Sequence, residues 1–381
     1  MKIFIAVIIA FLCFFSPVIC YAISDPLKLP NNKFGIHLLS PEEIVLAAKL
    51  VNTSGGDWGY VTIPIQSVDK DLDKWQKFMD KAAALHLIPI IRLMTYPHES
   101  HWEIPTLEDS VDFGNFLNSL YWPTKNRYVV FYNEPNRAEE WGQIVDPAGY
   151  AEVLDKSIDI FKQKSPDFFI LNAGFDAAAP TNHIFMDIYS YINSMESAVP
   201  GIFNKLDGWS SHSYPNPDFS ASPWEKRKNT IFGYQYEINY LKNYLGVKDL
   251  PVFITETGWR HDNKPIQIIS SFYEEAFTKS WQDEQIVAIT PFLLTAGDGP
   301  FQKFSFINKN GEPNEIFNKV ASLPKISGKP FLAGKPVKNL VTVNNKKLEK
   351  LSFDQKIIDR SDNLTLKMWK EIFQWLFVRQ T

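Results

Sequence analysis

The sequence predicts an α/β fold, and three features of its patterning carry that expectation. Between Phe34 and Leu294, eight short apolar runs alternate with longer amphipathic stretches. No glycine-rich phosphate loop follows the first run, and the composition changes at Lys325. Runs that are apolar almost throughout are what parallel strands covered on both faces require. Eight strand–helix repeats are the arithmetic of a closed (βα)8 TIM barrel. An open doubly wound sheet shares the local alternation. The count of eight favours closure, as does the lack of G-x-G-x-x-G and G-x-x-x-x-G-K-[ST] signatures, which also leaves nucleotide chemistry without a signal.

Taken in order, the strands are expected at residues 34–38, 60–65, 87–93, 128–132, 168–173, 206–212, 252–255 and 286–292. After the first, Ser40-Pro41-Glu42-Glu43 is a helix start: a capping hydroxyl, proline at the first position and an acid three residues on. Residues 69–86, 107–121, 147–164, 183–195, 230–245 and 265–281 space their apolar residues for one helical face. Asn308-Lys309-Asn310-Gly311 reads as a turn before a last helix at 312–323.

The chain has 381 residues, 45% hydrophobic and 22% charged, with net charge −4. That balance argues against disorder and multi-span membrane architecture, and it offers no electrostatic footprint for nucleic acid. Aromatic residues at 14%, with 11 Trp, are enough to fill a large core or line a groove for flat ligand faces.

Met1-Lys2, an apolar run at 3–15, and small residues at Cys20 and Ala22 predict a signal peptide cut after Ala22, and so an exported protein. An uncleaved anchor is disfavoured by the short run, and a lipid anchor on Cys20 by the bulky Ile19 before it. The only cysteines, Cys13 and Cys20, fall inside this segment, so thiol catalysis and cysteine-bound metals are excluded from the mature chain. Such a chain must hold together by burying apolar area.

The expected divisions are therefore a signal at 1–22, a catalytic barrel at 23–324, and a basic linker with an amphipathic helix at 325–381. This last segment holds 12 Lys+Arg against 5 Asp+Glu. Its final stretch, 364–377, sets Met368, Trp369, Ile372, Phe373 and Leu376 on one helical side. Two readings stay open for it: a helix docked on the barrel wall, or one lying on an anionic membrane surface at the cell exterior.

Barrel chemistry sits at the C-terminal ends of strands, which directs attention to acids that follow apolar runs. Two stand out. Val130-Phe131-Tyr132-Asn133-Glu134-Pro135-Asn136 ends the fourth strand, and Phe253-Ile254-Thr255-Glu256-Thr257-Gly258-Trp259 ends the seventh. Inward side chains from strands four and seven can approach to about 5 Å, the separation needed for retaining glycoside hydrolysis.

Asn133-Glu134-Pro135 with Glu256 resembles glycoside hydrolase clan A, and in general the family 5 cellulase-like retaining β-glycosidases, over roughly residues 30–324. Strand six, with His212-Ser213-Tyr214, resembles the family's His-x-Tyr element. The resemblance implies Glu134 as general acid/base, Glu256 as nucleophile, and Asn133 as partner of the sugar 2-hydroxyl. It implies His212 and Tyr214 as tuners of the two carboxyls and Trp259 as a floor for the sugar. The family's arginine near the end of strand two is replaced by Thr62, so Arg92 on strand three is the substitute cation, or else half of a structural ion pair. Where the family tends to carry Trp after strand eight, this chain offers Phe292.

His37 at the end of strand one reads as a mouth residue or a satisfied rim histidine. His98-Glu99-Ser100-His101 reads as a substrate loop or solvent-facing turn, since no helix fixes a metal-binding spacing. Trp58, Trp102, Trp141, Trp209 and Trp224 are stacking candidates, at least half of them expected in packing. No metal or organic cofactor is called for, because two carboxylates and water suffice. The expected function is an exported retaining β-glycosidase acting on an oligo- or polysaccharide. A non-catalytic glycan-binding barrel, a transglycosylase and a surface-tethered scaffold are the alternatives.

Overall fold

A computed structural model describes residues 23–262 and 264–334. The expected signal at 1–22 and the helix at 364–377 lie outside the described residues. The described strands are β1 Gly35–His37, β2 Gly59–Gln66, β3 Leu87–Met94, β4 Arg127–Val130, β5 Phe168–Leu171, β6 Trp209–His212, β7 Val252–Glu256 and β8 Ile286–Ile289. The helices are α1 Ile44–Val51, α2 Leu72–Ala84, α3 Leu107–Ser119, α4 Pro147–Lys164, α5 Ile188–Ala198, α6 Gly233–Leu245, α7 Ile266–Glu275 and α8 Glu315–Ser322.

Every strand pairing is parallel, in the orders β1-β2-β3-β4-β5 and β6-β7-β8. Parallel bridges join the two arcs on both sides: Phe34 with Ile289 between β1 and β8, and Leu171 with Gly208 between β5 and β6. The chain is a (βα)8 barrel, as the strand count predicts.

Alternation along each strand divides the core. Outward residues such as Val61, Ile63, Ile91, Val129, Ile170 and Ile254 join the helices in one large apolar layer. Inward residues Tyr60, Ile88, Ile90, Tyr128, Val130, Phe169, Leu171 and Phe253 fill the barrel itself. Arg92 continues the inward set of Ile88 and Ile90, so the pleat delivers its guanidinium to the open end.

Helix boundaries follow their caps. Ser40 and Glu43 form a reciprocal capping box, as Thr106 and Asp109 do at α3. Helix α5 starts at Ile188 rather than residue 183, because Asp187 caps Tyr189 and Ser190 while Asn182 holds the backbone of Ile184 and Phe185. The last helix starts at Glu315, capped by Asn314. The stretch from 206 is strand only from Trp209, since Ile202–Lys205 closes as a 3-10 turn just before it.

Residues 325–334, the start of the expected linker, run along the N-terminal end of the barrel. Their backbone bonds reach Ser54, Asp57, Pro30, Lys125 and Pro123. Among the described residues, no helix is long and apolar enough to cross a membrane.

Candidate active site

Glu134 and Glu256 meet at the C-terminal mouth. One carboxylate oxygen of each, together with a ring nitrogen of His212, lies within 4.8 Å of the others. Different backbone devices aim the two acids. On β7, Ile254 faces out and Thr255 faces in, so strict alternation would turn Glu256 outward. The β6–β7 register shifts between Ser211 and His212, and His212 pairs with Glu256 instead of Thr255. This bulge points Thr255 and Glu256 inward together. Glu134 follows β4 on a contorted turn: Tyr132 has φ +75° and Glu134 φ +30°, both in the left-handed region that non-glycine residues rarely occupy. Backbone bonds from Glu134 to Gly174 and from Arg137 to Glu134 hold the turn, and strain of this kind clusters at functional sites.

The Glu256 carboxylate is surrounded by donors. Arg92 Nη1 pairs with Oε1 and also donates to Asn133 Oδ1 at 2.9 Å. Tyr214 donates its hydroxyl to Oε2 at 2.8 Å. His37 Nε2 stands 3.6 Å from Oε1, and His212 Nδ1 3.9 Å from Oε2. Burial opposes ionisation here, but His212 and Arg92 outweigh it and hold the Glu256 carboxyl down at about 2. Glu134 moves the other way. Burial raises its carboxyl above the usual range, and the nearby Asp176 adds to this, although His212 and Arg137 pull against it. The two adjacent carboxyls are thus shifted in opposite directions, Glu256 toward its ionised form and Glu134 toward its protonated form.

His212 links them, with Nδ1 2.8 Å from Glu134 Oε1. Its ring lies so close over Gly174 that a Cβ there would stand 2.1 Å from Cδ2. His37 is fully buried, and burial together with Arg92 lowers its imidazole to about 3, so it stays neutral beside the anion.

The structure brings together Glu134, Glu256, Asn133, His212, Tyr214, Arg92 and His37. Trp259 is not among them, which corrects the expectation of a sugar floor. Its ring is fully buried, donates Nε1–H to the Ala221 carbonyl, and packs on Phe272, Tyr273 and Trp281. Three residues past an inward Glu256, the chain has already turned back to the helical layer. Phe292 does reach the mouth, tilted against His37 and edge-on to Phe301. Thr62 bonds Thr290 across the barrel instead of meeting Glu256. His98 and His101 stack on each other, with Glu103 and Gln143 as polar partners. Of the other tryptophans, Trp102, Trp141 and Trp209 are core, Trp58 stacks on His86, and Trp224 is exposed.

Glu134, His212 and Glu256 are also the one described grouping with enough metal-type donors. Those atoms are committed to one another, to Arg92 and to Tyr214, an arrangement suited to proton transfer.

Two further residues belong to the site and were not singled out from the sequence. Asn136 is buried, bonds the carbonyls of Asp176 and Met186, and accepts from the Asp176 amide. Arg137 places Nε 3.7 Å from Glu134 Oε2 while binding Glu139 and Asp176. Their signal was present, in that both directly follow Asn133-Glu134-Pro135, but neither is recognisable until the loop after β5 is seen beside them.

No protein-family profile matches the chain, and no curated protein sequence matches it. Solved structures do. A family 39 glycoside hydrolase from Bacteroides cellulosilyticus aligns over 80% of this chain at 16% identity, with TM-score 0.54. The chain spans 65% of that protein's length. A GH5_18 protein from Bifidobacterium longum subsp. infantis aligns over 77% of this chain and 78% of its own, at 12% identity and TM-score 0.53. A GH128 endo-β-1,3-glucanase from Pseudomonas viridiflava aligns over 77% and 98%, at 14% identity and TM-score 0.51. At these identities the likeness is one of fold: the chain is built on the (βα)8 barrel that these glycoside hydrolases share.

Proposed function

We propose that this chain is a glycosidase, and more finely an exported retaining β-glycosidase that acts on an oligo- or polysaccharide by double displacement. One observation carries the reading: two strand-end carboxyls with oxygens within 4.8 Å, one held as an anion and the other driven toward its protonated form. Oxygens no more than 4.8 Å apart leave room for an anomeric carbon between the carboxyls but none for an interposed attacking water, which suits retention. The solved barrels that resemble the chain, a family 39 glycoside hydrolase and an endo-β-1,3-glucanase among them, support the class of activity.

In this mechanism Glu256 attacks the anomeric carbon while Glu134 gives its proton to the departing glycosidic oxygen. Glu134, now ionised, takes a proton from water as that water displaces Glu256 from the glycosyl ester, and both carboxyls return to their starting states. Asn133, its side-chain carbonyl held by Arg92 and its side chain also bonded to Glu140, is the partner assigned to the sugar 2-hydroxyl. Tyr214 and Arg92 keep Glu256 ionised and aligned.

A panel of β-glucans, mannans, xylans and aryl β-glycosides tests the activity, and a slow 2-fluoro glycoside should label Glu256. A folded protein inert toward the whole panel would leave the non-catalytic glycan-binding barrel as the better reading. Product analysis at high sugar concentration separates hydrolysis from glycosyl transfer. Export, and any membrane-surface contact through residues 325–381, belong to the same proposal. They are tested by the N-terminus of the released protein and by vesicle association with and without that segment.

A further inference from the structure

Beside Glu134 lies a second charged cluster that the proposed mechanism leaves unused. Arg137 is its hub. Its Nε and Nη2 donate to Glu139 Oε1 at 2.9 and 2.6 Å, and its Nη1 donates to Asp176 Oδ2 at 2.7 Å. Its guanidinium lies over the Phe185 ring, 5.2 Å from the centroid. The same Nε is 3.7 Å from Glu134 Oε2, the oxygen that His212 does not bond.

The backbone locks the cluster in place. The Arg137 amide donates to the Glu134 carbonyl, Arg137 bridges to Phe185, and the Asp176 amide donates to Asn136 Oδ1. The loops after β4 and β5 therefore cannot move independently, and the acid/base carboxyl sits between a cation and an anion that are both fixed.

We propose that Arg137 is a positioning residue for Glu134, anchoring its second oxygen, and that Arg137 and Asp176 form an opposed pair that sets how tightly Glu134 holds its proton. This rests on the glycosidase reading for its consequence but not for its test. The charged groups facing Glu134 are His212 from β6, Glu256 from β7, Asp176 from the loop after β5, and Arg137, Glu139 and Glu140 from its own loop. Arg92 acts on it through Asn133 and Glu256. His212 pulls hardest toward ionisation, and after it Asp176 and Arg137 act on Glu134 in opposite senses. A cation at this distance favours the ionised carboxyl, and a nearby anion disfavours it.

The test follows the carboxyl titration of Glu134 itself by 13C NMR on the full chain, with its resonance assigned by its loss in Glu134→Gln. Asp176→Asn keeps shape and an acceptor for Arg137 while removing the anion; the Glu134 proton should be held more weakly, by about tenfold. Arg137→Gln should shift the affinity the other way by a similar factor. If Arg137→Gln does not fold, Arg137→Gln with Glu139→Gln removes the stranded anion, and Asp176→Asn decides by its sign alone. Unmoved midpoints in folded variants, or shifts of both in one direction, would overturn the proposal. Because the readout is a titration, it stands even if no glycoside is turned over. Where turnover exists, the alkaline limb of kcat/KM should follow the same two shifts, whereas a merely structural Arg137 would lower activity without moving that limb.

Discussion

His212 holds Glu134 by a hydrogen bond of 2.8 Å from Nδ1 to Oε1, while the opposite edge of its ring rests on the bare Cα of Gly174. The acid/base is thus positioned by an imidazole that can take its place only because residue 174 has no side chain, since a Cβ there would fall inside the ring's own volume.

Gly174→Ala should therefore act as a catalytic-geometry variant at a distance. The added Cβ would stand 2.1 Å from His212 Cδ2 and 2.4 Å from Nε2, so the imidazole must shift. Overpacking of this kind costs about 1–3 kcal/mol of stability. The expected result is a folded protein with a lowered melting temperature and a larger loss in kcat than in substrate affinity. Unchanged kcat would mean that His212 does not set the geometry of Glu134.

The two carboxyls should separate by rescue chemistry. Glu256→Ala should abolish turnover, and added azide should restore part of it with an inverted anomeric product, since the anion would occupy the vacated nucleophile position. Glu134→Gln should keep activity only toward aryl glycosides whose leaving groups need no proton. Near-normal rates for Glu256→Ala would remove the double-displacement reading.

The pH dependence has a definite sign. Turnover needs Glu256 ionised and Glu134 protonated, so kcat/KM rises through the low Glu256 transition, about 2, and falls through the raised Glu134 transition. These limbs report the coupled pair. Stability follows linkage in opposite senses. The depressed Glu256 favours the fold above the ordinary carboxylate range, a contribution lost as pH falls toward about 2. The raised Glu134 favours the fold below that range, a contribution lost as pH climbs through its own transition. Arg92→Ala leaves Glu256 as a buried anion without its cation. It should move the acid limb upward and cost about 3–5 kcal/mol, read by denaturant titration.

Tyr214 and Trp259 should behave oppositely although both flank the catalytic strands. Tyr214→Phe removes the hydrogen bond to Glu256 Oε2. A bond to a charged group contributes about 1.5–3 kcal/mol, so kcat/KM should fall about 10- to 100-fold while the melting temperature drops by only a few degrees. Trp259→Ala should instead cost about 3–5 kcal/mol of stability. Its folded fraction should keep a near-normal KM, because the indole is sealed against Phe272, Tyr273 and Trp281. A raised KM at full stability would return Trp259 to the sugar site.

The barrel itself was legible in the sequence because parallel strands buried on both faces must be apolar throughout, and eight such runs leave few ways to close a sheet. Glu134 and Glu256 were legible for a related reason: an acid at the end of an apolar strand is costly unless it is used. What the residues alone could not decide was direction. Period-two alternation points Glu256 outward, and only the bulge opposite His212, a property of how β6 and β7 pair, brings it into the mouth. The same limit explains Trp259, assigned to the site by the family resemblance yet carried to the far side of the sheet by the turn after β7. It also explains Arg137 and Asp176, which are 39 residues apart and become one cluster only where the loops after β4 and β5 meet. Burial is written locally in hydrophobic pattern, whereas the distance between two charges depends on every strand between them.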